Sequence, residues 1–172
     1  MFQRIDIRKI ISDHLKTLRR IDSDSRGISG WDFILFIAIP LSIGILLATL
    51  KISLSNHVTD LITFVSILGG FLFNLLAIIY GLIDKLKEDS LSDPLKAIFV
   101  KEIHINISFN ILLSLFILVS LLIYSFLNGV YKCLWQTLLY GALTAIIYFL
   151  LLLFLLTMFM VLNRVYILFK KG

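Results

Sequence analysis

Apolar and polar positions alternate along this chain in long blocks. Four stretches carry no Asp, Glu, Lys or Arg: Phe33–Leu50, Leu61–Ile83, Ile103–Tyr131 and Cys133–Asn163. Their 18, 23, 29 and 31 residues reach or approach the length of a helix that crosses a bilayer's hydrocarbon core. They predict an all-α, integral membrane four-helix bundle over residues 31–172, with spans at about 31–50, 60–83, 103–126 and 134–160. Upstream, Ile7, Ile11, Leu15, Leu18 and Ile21 recur at helical spacing, with Phe2 and Ile10 beside them. Arg4, Arg8, Lys16 and Arg19 lie mostly elsewhere around that wheel, so residues 2–21 predict a basic amphipathic helix. The polar run 22–30 reads as a linker, closing a first unit of residues 1–30, and Trp31 marks entry into the membrane.

Within the spans, Pro40 predicts a kink, because proline removes a backbone donor and crowds the carbonyl four residues back. That kink serves as a hinge or is an ordinary bend in a membrane helix. Asp93-Pro94 is a helix start, so the third helix begins before its span and carries Leu95, Ile98, Phe99 and Ile103 on one face. Asn128-Gly129 supplies a tight turn before the fourth span. That last stretch makes about 46 Å of helix against a core of roughly 30 Å. Its apolar excess, through Met158, Met160, Val161, Tyr166 and Phe169, predicts a cytoplasmic collar with the N-terminal helix and the Pro94 turn.

Composition agrees with the pattern. The chain is 59% hydrophobic and 16% charged, with all 27 charged residues in the 71 positions outside the four stretches. A soluble enzyme, a disulfide-stapled secreted domain and a disordered chain are excluded. Counting Lys and Arg over alternate flanking segments gives 14 against 2, which places both termini and the middle loop in the cytoplasm. The same bias accounts for the net charge of +5, and no nucleic-acid motif accompanies it. Membrane lipids, not nucleic acid, are the partners this charge predicts, with Arg8, Lys16 and Arg19 among the contacts.

Polar and small residues inside the spans carry the remaining signal. Ser66, Gly70, Asn74, Ala77 and Gly81 share one face of the second span, beside Gly69, and suit helix packing within the bundle or a seam between subunits. Asn106, Asn110 and Ser114 form a matching stripe on the third span. Asn74 and Asn110 have similar depths, so the two amides are expected near each other on facing helices or around an oligomer axis, in a cluster with Asn106 and Ser114 that is a structural hydrogen-bond set or a pore lining. Acidic residues stand only at span ends, as Asp32, Asp60 and Asp84, and no Asp, Glu, Lys or Arg lies deeper, which argues against proton coupling and voltage sensing. Histidines 14, 57 and 104 fall in separate places and Cys133 is alone. No catalytic residue, metal site or cofactor is expected, and the chain reads as a non-enzyme.

In its span number, its basic amphipathic start, Pro40, the Gly69-Gly70 stripe and the Lys85–Lys101 loop, the chain resembles the small four-span membrane subunits of bacterial anti-phage defence systems. It is most similar to the membrane subunit of the Kiwa system. The resemblance implies a homo-oligomer in the bacterial inner membrane that senses envelope disturbance and docks a soluble cytoplasmic effector. Ile7, Ile11, Leu15, Leu18, Leu95 and Phe99 are the apolar side chains expected to meet that partner or lipid. The alternatives are a holin-like pore lined by Asn74, Asn106, Asn110 and Ser114, and then a small-solute transporter.

Overall fold

The computed structural model describes residues 7–18, 34–50, 52, 54–88, 94–127 and 134–170. The linker at 22–30, Arg19, Trp31, Asp93, the Asn128-Gly129 turn, Cys133 and the side chain of Leu95 lie outside the described residues. Among the described residues five α-helices follow in order: α1 (Ile7–Thr17), α2 (Ile39–Thr49), α3 (Val58–Glu88), α4 (Pro94–Leu127) and α5 (Leu134–Lys170). A π-helical turn, Ile34–Ala38, leads directly into α2.

The three long helices are uninterrupted because none has an internal proline. Pro94 stands at the first position of α4, where its missing N–H costs nothing and its fixed φ suits the helix. Val58–Asp84, Ala97–Leu127 and Leu138–Leu168 are long and apolar enough to cross a membrane, as a multi-pass membrane protein requires. The expected first span differs. The apolar helix Ile34–Thr49 is shorter than the other three, and the π turn occupies its first five residues. Pro40 supplies the reason: it cannot donate to Phe36 and its ring crowds that carbonyl, so the turn before it widens.

Among the described residues the helices pack as a row, α3 on α4, α4 on α5 and α5 on α2. Among the described residues the backbones of α2 and α3 do not approach one another. α4 is central, with 50% of its most apolar window buried against 22% in α3 and in α5. Val65, Leu72 and Ile79 of α3 meet Ile107, Ile117 and Leu121 of α4, and Ile147, Phe154 and Val161 of α5 complete the core. Lipid is as apolar as these side chains, so close packing rather than water exclusion holds such helices together. Gly44 shows how close that packing is. A Cβ there would stand 2.8 Å from the carbonyl oxygen of Ala145 and 3.2 Å from the nitrogen of Phe149, so only glycine admits the α2–α5 crossing.

The connection between α2 and α3 is tied to the long helices. The buried Tyr124 hydroxyl accepts a hydrogen bond from the Leu54 N–H at 3.2 Å, and its ring stacks on Tyr140. Tyr148 Oη donates to the Ile52 carbonyl at 3.3 Å.

α1 packs on α4. The face it buries is His14, Thr17 and Leu18, with Ile10 packed against the core. Ile11 is 38% exposed and Ile7 and Leu15 are only half-buried, so the far edge of the apolar stripe points away from the protein. Polar partners waiting on α4 decide which face docks.

Candidate functional site: a polar junction and an unpartnered helix face

The densest polar cluster lies where α1, α4 and α5 meet. Asn106, on α4, is fully buried. Its Oδ1 accepts from His14 Nδ1 at 2.8 Å and from Thr17 Oγ1 at 2.7 Å. The single Thr17 hydroxyl proton is shared with the His14 carbonyl, also at 2.7 Å. From α5, Arg164 Nη2 donates to the Thr17 carbonyl at 2.7 Å, one of the carbonyls that the end of α1 leaves without a helical partner. Arg164 also forms an ion pair with Glu102 of α4, both side chains being mostly buried. His14 lies flat on the Phe109 ring, with centroids 3.7 Å apart and planes 6° from parallel.

This surrounding sets the charge of His14. Burial disfavours its imidazolium, and the nearby Arg164 guanidinium adds to the effect, outweighing the Asn106 hydrogen bond. The pKa falls from 6.5 to about 4, so the docked histidine is neutral at pH 7. Nδ1 carries its proton, because Asn106 Oδ1 can only accept.

One turn further along α4, Asn110 is fully buried, and neither its Nδ2 nor its Oδ1 has a hydrogen-bond partner. Asn106 Nδ2 is likewise unpartnered. Ser114, next on the same face, donates to the Ile111 carbonyl and lies at the α3–α4 contact. A Cβ on Gly69 would sit 3.2 Å from Ser114 Oγ, so Gly69 is the glycine that this contact uses.

The structure thus brings Asn106, Asn110 and Ser114 together and leaves Asn74 apart. The face of α3 that packs on α4 runs through Val65, Gly69, Leu72 and Ile79. Ser66, Gly70, Asn74, Ala77 and Gly81 are turned roughly 140° from it, at about 100° per residue. All five are exposed, and a Cβ on Gly70 or Gly81 would meet nothing within 4 Å. The stripe therefore does not pack helices within one chain, and Asn74 does not meet Asn110. Pro40 is buried, Phe99 half-buried, and Arg8 and Lys16 exposed.

The sequence predicts that the N-terminal helix, the start of α4 and the extension of α5 gather, but not that His14 and Thr17 meet Asn106 there. One signal was present: Glu102 and Arg164 are opposite charges at the ends of stretches three and four that face the same side. Comparison with protein-family models, with curated proteins and with solved structures gave no match.

Proposed function

We propose that this protein is a non-enzymatic, homo-oligomeric membrane scaffold or sensor that docks a soluble cytoplasmic effector, in the manner of anti-phage defence membrane subunits. The exposed stripe on α3 carries this reading. Asn74 lies in the interior of the Val58–Asp84 span, yet its amide is on the chain's outer surface, flanked by Gly70, Ala77 and Gly81. An amide facing hydrocarbon is costly, and small residues beside it admit a second backbone. A second copy presenting the same face satisfies both. Both termini lie in the cytoplasm by the bias of basic residues, which puts the junction of α1, α4 and α5 on that side. Arg164 ties α1 to α5 there, so a shift in helix packing would reach the surface offered to an effector.

The pore reading loses support from the same geometry. Asn106, Asn110 and Ser114 are enclosed by protein on α4, while Asn74 faces outward from α3. Induced expression of the chain alone, followed by a potential-sensitive dye, tests the choice. An unchanged membrane potential, with co-purification of the adjacent gene's product that is lost on deleting residues 2–21, is the expected result. A rapid collapse that Asn74→Leu abolishes would instead establish a pore.

A further inference from the structure

Two adjoining crevices, of about 190 and 390 Å³, open between α1 and α4 and share Asp13 in their walls. Lys9, His104 and Ser108 line the first, and Lys16 and Lys101 line the second. Lys16 Nζ pairs with Asp13 Oδ1 at 2.8 Å. That hydrogen bond, with the charges of Lys16, Lys9 and Lys101, holds the Asp13 carboxyl below its usual range. Three ammonium groups therefore surround one carboxylate. The other acid in the wall, Glu102, is paired with Arg164.

The position of the crevices says what kind of anion they meet. Lys101 and Glu102 are the last charged residues on α4 before an uncharged run to its end at Leu127. The crevices thus straddle the polar–apolar boundary of a helix long enough to span a membrane. Ile98, exposed, and Ile105, half-buried, continue their walls as apolar surface. A cationic pocket with an apolar edge at that depth matches a phosphate joined to acyl chains.

We infer that the crevice between α1 and α4 binds the phosphate of an anionic phospholipid, with Lys9, Lys16 and Lys101 as the anion-binding groups. Asp13 is the competing carboxylate, from which the phosphate takes Lys16. Bound lipid bridges the two helices and joins the α1 junction to the composition of the surrounding membrane. This inference does not depend on the oligomer reading, since the crevice is formed within one chain.

The test is a titration of phosphatidylglycerol into the full chain held in phosphatidylcholine nanodiscs, read as bound phosphatidylglycerol by native mass spectrometry. Lysines near a membrane surface contribute about 1 kcal/mol each, roughly fivefold in affinity. The variant K9Q/K16Q/K101Q is therefore expected to bind at least tenfold more weakly. Asp13→Asn, which removes the competitor, is expected to bind more tightly. The charge-matched control K170Q/K171Q is expected to bind like the parent. Equal binding by the triple variant, weaker binding by Asp13→Asn, or an equal loss in K170Q/K171Q would overturn the site. Displacement of the lipid by millimolar inorganic phosphate would show that a free anion, not a lipid, is the occupant, and would overturn the proposal as well.

Discussion

His14 docks without its second proton, which ties the position of α1 to pH. A histidine with pKa 6.5 when free and about 4 when docked favours the docked state fully above 6.5. That advantage is lost as pH falls from 6.5 to about 4, where a protonated ring would face Arg164 beside the Glu102 carboxylate. The full loss is about 3 kcal/mol. Limited proteolysis of α1, faster at pH 4.5 than at pH 7 after correction for protease activity, is the expected signature. His14→Leu, which cannot titrate, is expected to remove that dependence. Asn110 carries a second prediction at this scale. Its buried amide has no hydrogen-bond partner among the described residues, so Asn110→Leu should stabilise the protein by about 1 kcal/mol or more in thermal unfolding in detergent. A clear destabilisation would mean that the amide is hydrogen-bonded after all.

At the scale of elements, helix existence was legible and helix facing was not. The charge-free stretches located α3, α4 and α5, and Pro94 marked the start of α4 because its chemistry is local. Facing depends on partners. In water an apolar stripe points inward, but beside a membrane apolarity loses that meaning, since lipid accepts Ile11 as readily as protein does. On α1 the polar His14 and Thr17 are buried beside Leu18 while Ile11 is exposed, so periodicity alone does not tell which face docks on α4. The same physics turned the α3 stripe outward while Gly69, one residue away, took the inner contact. Gly44 escaped notice because its role depends on α5 backbone 100 residues later. Gly44→Leu is expected to separate α2 from α5 at an overpacking cost of about 1–3 kcal/mol, seen as a lowered unfolding temperature. An unchanged unfolding temperature would place the α2–α5 crossing further apart than the structure has it.

At the scale of the molecule, the described helices form an open row, and its α3 edge is its most informative feature. A closed bundle would cover its small and polar residues internally. Here α3 ends the row, with Asn74 and its small neighbours facing away from every other described helix. The crevice lies between α1 and α4, and the polar junction joins α1, α4 and α5, so neither includes the exposed stripe of α3. The most direct test of the account is subunit counting by single-molecule photobleaching in lipid, on the parent chain, Gly70→Leu and Asn74→Leu. The parent is expected to show more than one subunit per particle, and Gly70→Leu and Asn74→Leu to shift the count toward one. A monomeric parent, or Gly70→Leu particles with the parent's count, would contradict the claim that the α3 stripe is the seam.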